Sequence, residues 1–151
     1  MRRLQAVVEW TLVGLSACIA VVVCLQVLFR YVLHQPLYWS EELPRYLLIW
    51  MAFLAAGLAQ REEAHINITL LLNLLPSAGQ RAVRLGMNVV MLAFLALLLY
   101  SGALVTRITA AHRSTALQLP MGVVYAALPV GTALMMLYLV LQIVRGLKGR
   151  S

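Results

Sequence analysis

The sequence contains very little charge. Only 11% of its 151 residues are Asp, Glu, Lys or Arg, and only five are acidic. No hydrophilic stretch is long enough to fold as a separate soluble domain. Any chemistry is therefore confined to the apolar segments, to their polar edges or to another chain.

Residue patterns that hold metals or cofactors are also absent. The two cysteines, Cys18 and Cys24, lie in one apolar run, where their directions on a helix prevent a disulfide, and act as apolar filler. The three histidines, His34, His65 and His112, fall in links or at span ends without a Cys or carboxylate at ligand spacing. There is no Gly-rich phosphate loop and no nucleophile–base pattern. We therefore expect no cofactor, no metal and no enzymatic activity.

Apolar residues dominate instead. They make up 63% of the chain, and the mean hydropathy is +0.89; a soluble domain is about half apolar. A hydrocarbon core of about 30 Å requires roughly 20 apolar residues in a helix. Residues 10–31, 40–60, 85–106 and 123–144 meet this requirement. The sequence predicts an all-α integral membrane protein, with four transmembrane helices in a single membrane domain over residues 1–151.

A shorter apolar segment follows the second span. Residues 66–75 are interrupted by Asn67, Thr69 and Asn73 and end before Pro76, so they are too few to cross the membrane. We expect a short interfacial segment here. Helical structure is favoured, although the apolar residues also fit the period of two of a strand.

Basic residues are divided unevenly between the two sides of the predicted topology. Both termini and the middle loop hold eight Lys and Arg, whereas the other side holds four: Arg30, Arg45, Arg107 and Arg113. Loops rich in Lys and Arg stay cytoplasmic, so we expect both termini in the cytoplasm. Topology therefore explains the net charge of +7 better than nucleic-acid binding does.

The second span is predicted to begin with a capped helix. Ser40 has a side chain suited to the N-cap, and Glu41 and Glu42 then lie at the positive end of the helix dipole. Pro44 is slightly out of place in this arrangement, which allows the start to shift by a residue. Either glutamate can meet Arg45, three or four residues further on.

Aromatic residues continue this cluster into the span. Trp39, Glu42, Tyr46 and Trp50 fall on one stripe at helical spacing. An aromatic belt at the membrane surface explains Trp39, but Trp50 lies roughly 10 Å deeper than the charges. The pattern favours a surface that docks another helix or chain over plain anchoring. It disfavours a proton relay, because transport carboxylates usually lie near the bilayer midplane.

Small residues mark the fourth span as a packing helix. Gly122, Ala126, Ala127 and Gly131 form a stripe that suits close helix packing, and Pro129 is expected to kink this span near its start.

Together these motifs resemble the small membrane subunit of tripartite ATP-independent periplasmic (TRAP) transporters, the DctQ-like family. The resemblance spans nearly the whole chain and is carried, in order, by Trp39, Glu41-Glu42-Leu43, Arg45-Tyr46, Trp50, Gly57, Ala64-His65-Ile66, Ala116-Leu117-Gln118-Leu119-Pro120, Tyr125 and Leu128-Pro129-Val130-Gly131. Pro44 and Glu63 depart from the family pattern.

The resemblance implies a scaffold role in the bacterial inner membrane. The small subunit of such a transporter pairs stably with a large membrane subunit that carries the substrate and ion sites and is driven by an ion gradient. A periplasmic solute-binding protein delivers the substrate, typically an organic acid. The chain itself would supply no transport chemistry.

The resemblance also assigns roles to particular residues. A polar cluster would dock the second helix on the large subunit: Arg30, Trp39, Glu41, Glu42, Arg45, Tyr46, Trp50 and His65. Helix packing would depend on Gly57, Pro120, Pro129 and Gly131. Arg30 is expected to reach one of the glutamates, and lipid headgroups at Arg30, Arg45 or Arg113 are an alternative.

Three other functions stay open at this point, one of them a generic membrane scaffold with no link to transport. A stand-alone transporter of four helices would need a carboxylate well inside a span, and Glu9, at the edge of the first, is the nearest. A membrane anchor of a respiratory complex would hold haem or quinone and would give a coloured or quinone-binding preparation.

Overall fold

A computed structural model describes residues 2–63 and 77–148. Within these residues the chain forms a short 3₁₀ turn, Tyr38–Ser40, and five α-helices: α1 (Arg2–Tyr31), α2 (Glu42–Glu63), α3 (Ser77–Thr109), α4 (Met121–Tyr125) and α5 (Ala127–Lys148). His65 and the predicted interfacial segment, residues 66–75, lie outside the described residues.

Four helical stretches are long and apolar enough to cross a membrane, as the sequence predicts. They cover Gln5–Tyr31, Tyr38–Gln60, Leu85–Thr109 and Met121–Val144. The fourth stretch contains both α4 and α5. The described residues thus have the all-α, four-span architecture expected of an integral membrane protein.

The start of α2 differs from the predicted cap. Ser40 does not act as the N-cap, because its hydroxyl donates to the carbonyl oxygen of Leu37 at 2.7 Å and closes the 3₁₀ turn. The helix begins two residues later, at Glu42. Pro44 is then the third residue of α2, where a backbone N–H has no intrahelical partner. The later start removes the conflict that the proline creates with a cap at Ser40.

The fourth span is interrupted where Pro129 was expected to disturb it. α4 ends at Tyr125 and α5 begins at Ala127, with Ala126 between them. Pro129 has no N–H to donate to the carbonyl four residues earlier, that of Tyr125, so regular helical bonding cannot continue through this turn. Pro120 precedes α4 in an extended conformation, with φ −63° and ψ 122°.

The helices pack in an open row instead of a closed four-helix ring. α1 packs on α2, α2 on α5, and α5 on α3, while α4 packs mainly on α3. Among the described residues, α1 makes no comparable contact with α3 or α5. Buried side chains concentrate in the middle of the row, including those of Leu95, Thr132 and Leu139.

Two glycines allow α2 and α5 to approach closely. A Cβ atom on Gly131 of α5 would lie 2.6 Å from Cβ of Phe53, and one on Gly57 of α2 would lie 2.7 Å from Cδ2 of Leu134. Real Cβ contacts are longer than these distances, so each helix uses a glycine where the other crosses it. Glycine at helix crossings is typical of membrane helices that pack tightly.

Candidate functional site

Four helix ends meet on one side of the row. α1 ends there at Tyr31, α2 begins there, α3 ends at Thr109, and α4 begins at Met121. We call this side, residues 30–46 and 107–121, the polar rim. It contains most of the candidate residues that the sequence singles out.

The loop between α3 and α4 is folded back on itself. The amide of Ser114 donates to the carbonyl of Leu119 at 2.9 Å, and the amide of Met121 donates to the carbonyl of His112 at 2.8 Å. The Ser114 hydroxyl accepts the amide of Leu119 at 3.2 Å and is buried. Gln118 adopts a φ of 53°, in the left-handed region, to close the turn. The tip of this loop is therefore held by its own bonds.

Glu42 connects this loop to the start of α2. Its Oε1 accepts the amide of Ala116 at 3.1 Å, and its Oε2 accepts the amide of Leu117 at 3.2 Å. Each oxygen thus satisfies one backbone donor at the turn, where the amides lack a helical or strand partner. The carboxylate joins two segments that are far apart in the sequence.

Tyr46 and Trp50 lie on the same face of α2 as Glu42, one and two turns further along the helix. The Tyr46 hydroxyl donates to Sδ of Met121 at 3.7 Å, and the Trp50 indole N–H donates to the carbonyl of Val123 at 3.2 Å. Val123 lies in the middle of α4, three residues before the break at Ala126. The stripe that the sequence predicts therefore binds the loop between α3 and α4 and the broken fourth span of the same chain.

The remaining charged residues of the rim face outward. Nη1 of Arg30 lies 3.5 Å from Oε1 of Glu41, and both side chains are more than half exposed. Arg30 therefore reaches a glutamate, and Glu41 is the one it reaches. Arg45 is exposed and, within the part of the chain that the structure describes, has no ion pair or hydrogen bond. Arg113 donates from Nη1 to the carbonyl of Gln118 at 3.3 Å.

The rim is positively charged overall. It holds four arginines, at positions 30, 45, 107 and 113, against two glutamates, which leaves two positive charges in excess with the histidines neutral. Trp39 and Tyr38 are exposed beside these groups. Such a surface suits an acidic protein partner or anionic lipid headgroups.

Two buried residues contribute to the packing although no sequence motif points to them: Ser114 in the polar rim and Gly102 in α3. Ser114 holds the loop, and Gly102 of α3 lets Leu128 approach, since a Cβ there would lie 2.9 Å from Leu128 Cδ2. A single serine in a polar loop and a single glycine in an apolar helix give no signal of their own. Across residues 2–63 and 77–148, His, Cys, Asp and Glu side chains nowhere form a group of three that could bind a metal.

Comparison with known proteins gives a consistent result. A family model described as "Tripartite ATP-independent periplasmic transporters, DctQ component" matches residues 19–149. A protein of Haemophilus influenzae named as a TRAP transporter small permease is 38% identical over 80 residues, which cover 53% of this chain and 50% of the relative. The sialic acid TRAP transporter small permease protein SiaQ of Vibrio cholerae is 29% identical over 90 residues, covering 60% of this chain and 52% of the relative.

A longer relative contains the same region within a larger permease. The isethionate TRAP transporter permease protein DctMQ of Oleidesulfovibrio alaskensis is 30% identical over 132 residues, which cover 82% of this chain but only 21% of the relative. The chain therefore spans about half the length of the small permeases it matches and about a fifth of this longer permease.

Proposed function

Because the chain belongs to the DctQ family of TRAP transporter components, we propose that it is the small permease subunit of such a transporter. In this role it forms a stable complex with a large permease subunit, which carries out ion-driven import of an organic acid. A periplasmic solute-binding protein delivers the substrate to that complex. The names of two relatives, with sialic acid and isethionate, support an acidic substrate class.

The fused relative is the observation that carries this proposal. A region matching most of this chain is a fifth of the DctMQ permease of Oleidesulfovibrio alaskensis, so in that protein the remaining four-fifths is joined to it covalently. Two separate chains that correspond to one fused chain are expected to associate. The large permease subunit is therefore the partner that we assign to this chain.

The distribution of charge supports a static scaffold instead of a transporting subunit. In the four candidate spans, acidic and basic residues lie towards the ends, and the span Met121–Val144 has none. Ion and anion sites within a membrane normally require polar or charged groups near the midplane. Neither a haem anchor nor a stand-alone transporter draws support from the comparisons.

We assign two different roles to the polar cluster. Glu42, Tyr46 and Trp50 use their polar groups on the same chain, so we propose that they hold the rim in shape. Arg30, Trp39, Glu41 and Arg45 face outward, and we propose that they contact the large subunit or its lipids. His65, outside the described residues, stays a predicted member of the docking cluster.

The inner membrane is the proposed location, with both termini in the cytoplasm and the polar rim in the periplasm. The excess of Lys and Arg in the termini and the middle loop supports this orientation. It places the rim on the side where a periplasmic solute-binding protein approaches. A carboxyl-terminal alkaline phosphatase fusion should be inactive, and a fusion within residues 114–118 should be active; the opposite pattern would reverse the orientation.

Uptake in whole cells tests the proposed transport role. Deleting the gene for this chain while keeping those for the large permease and the binding protein should abolish uptake of the transporter's organic acid. Expression of this chain from a plasmid should restore it. Uptake at the full rate without the chain would contradict a required scaffold role.

A further inference from the structure

One side of α3 is turned away from the rest of the chain. α3 packs on α4 and α5 through the face that holds Leu95, which is 2% exposed. Leu97 is two residues further on and therefore points to the opposite side of the helix, where it is 65% exposed. Val90 is 70% exposed on the same side, and Leu104 is 48% exposed. This unpacked side extends over most of the span.

The residues on this side recur at the spacing of a helix-packing stripe. Positions 86, 90, 93, 97, 100 and 104 alternate steps of four and three, which keep one face of a helix directed at a neighbouring helix. We call these positions the outward face of α3. Gly86 and Ala93 are small, and a Cβ on Gly86 would meet no atom within 4 Å. The face is open, and its spacing fits a neighbouring helix. The face of α1 around Gly14 is equally open, so the choice between the two helices depends on their polar groups.

Tyr100 places a polar hydroxyl in the middle of this face. It is 73% exposed, and its hydroxyl makes no hydrogen bond to any residue in 2–63 or 77–148. Tyr100 is three residues from Leu97, the middle of the span Leu85–Thr109, which is about 4.5 Å along the helix axis. Side chains on a helix tilt towards its N-terminus, so the ring of Tyr100 tilts away from the polar rim and towards the membrane centre.

A phenol at this depth requires a partner that lipid tails cannot provide. Hydrocarbon offers no hydrogen-bond acceptor, and a polar group left there without one is unfavourable. The hydroxyl cannot reach the headgroups by extending along the helix, because it points the other way. A neighbouring protein helix, with a backbone carbonyl or polar side chain, supplies both an acceptor and an apolar surface.

We infer that the outward face of α3 is the surface that receives a transmembrane helix of the large permease subunit, with the Tyr100 hydroxyl donating a hydrogen bond to that helix. This inference rests on the proposed function and specifies where the partner binds. The fused relative favours the large permease as the occupant, because it joins a region like this one to a longer membrane chain. The exposed middle of α1 has a hydroxyl at Ser16, but a serine in a helix can donate to the carbonyl four residues earlier, as Thr11 and Thr106 do in this chain. The longer side chain of Tyr100 cannot turn back to its own helix in this way, so its hydroxyl is the one that needs a partner.

Site-specific photo-crosslinking in the assembled complex tests this assignment. The chain is co-expressed with the large permease subunit, with benzoylphenylalanine in place of Leu97 or Leu104 on α3, or in place of Val13 or Val21 on α1 as controls. All four side chains are exposed, so the substitutions leave the fold of the chain intact. We expect crosslinks to the large subunit from both α3 positions and not from the α1 positions.

The Tyr100→Phe variant tests the hydrogen bond separately. It keeps the ring and should weaken recovery of the large subunit by about threefold under competitive co-purification, the size of one hydrogen bond between membrane helices. The control is Ser16→Ala, which removes an exposed hydroxyl from the middle of α1, away from the polar rim, and should leave recovery unchanged.

The possible outcomes distinguish this inference from the proposed function. Crosslinks from α1 alone, crosslinks to a second copy of this chain, or no protein crosslink in an intact complex would each overturn the assignment to α3. Failure of the unsubstituted chain to co-purify with the large subunit would instead overturn the proposed function, and the α3 assignment with it.

Discussion

The carboxylate of Glu42 accepts the amides of Ala116 and Leu117, which lie 74 and 75 residues away in the sequence. This pair of bonds fixes the loop between α3 and α4 against the first turn of α2. Glu41, the neighbouring acid, instead pairs with Arg30 on the exposed side. Two adjacent glutamates therefore have different structural roles.

Replacing Glu42 by Gln should loosen the loop more than the same change at Glu41. An amide keeps one acceptor oxygen but presents an NH₂ group to the second backbone N–H, so one of the two bonds is lost. We expect Glu42→Gln to lower the thermal unfolding temperature in detergent and to speed trypsin cleavage after Arg113, which lies in the loop. Glu41→Gln is the matched control, because an exposed ion pair contributes little to stability. Equal behaviour of the two variants would contradict the role of Glu42.

Trp50 should stabilise the broken fourth span through its indole N–H. Trp50→Phe keeps an aromatic ring but removes the donor to the Val123 carbonyl. We expect a loss of about 0.6 kcal/mol in unfolding free energy, the average for a hydrogen bond between membrane helices, measured by titration with denaturing detergent. Trp39→Phe is the control, since no hydrogen bond from the Trp39 indole is present among the described residues. A Trp50→Phe variant as stable as the control would contradict the role of this bond.

The crossing of α2 and α5 should not tolerate a side chain on Gly131. A Cβ there would overlap Phe53, including its backbone oxygen at 2.8 Å, so the two helices must separate. We expect Gly131→Ala to lower stability by about 1–3 kcal/mol, the usual cost of overpacking. Gly14→Ala on α1, where a Cβ would meet no atom within 4 Å, should have no such effect. If the two variants unfold alike, the helices do not approach as closely as described.

Arg45 should contribute to assembly and not to the fold of the chain. Its exposed guanidinium has no partner within residues 2–63 and 77–148, so its removal breaks no described contact. We expect Arg45→Ala to abolish co-purification with the large permease while leaving the unfolding temperature of the isolated chain unchanged. Arg107→Ala, another exposed arginine of the rim, is the control. An intact complex with continued transport would show that Arg45 does not dock the partner.

Local features of the structure could be predicted from the sequence. Apolar length fixes the four spans, and helical spacing places Glu42, Tyr46 and Trp50 on one face. The missing N–H of Pro129 accounts for the break beside Ala126. Each of these depends on residues within a few turns of one another.

The partners of that face could not be predicted in the same way. Spacing on one helix made Arg45 a candidate partner for either glutamate, yet Glu42 binds free amides of a distant turn and Glu41 binds Arg30. Those amides are free because of the turn around Gln118, which only the folded loop reveals. Ser40 likewise bonds to Leu37 and not to the helix that it was expected to cap. Long-range packing decides these contacts, and a single sequence does not show it.

The most direct test of whether this chain is a small permease subunit is its affinity purification. The tagged chain is purified from membranes in which the large permease subunit is produced at its natural level. A small permease subunit should bring the large subunit with it in a constant ratio that survives detergent and moderate salt. Recovery of the tagged chain without the large subunit, from membranes in which that subunit is present, would contradict the account.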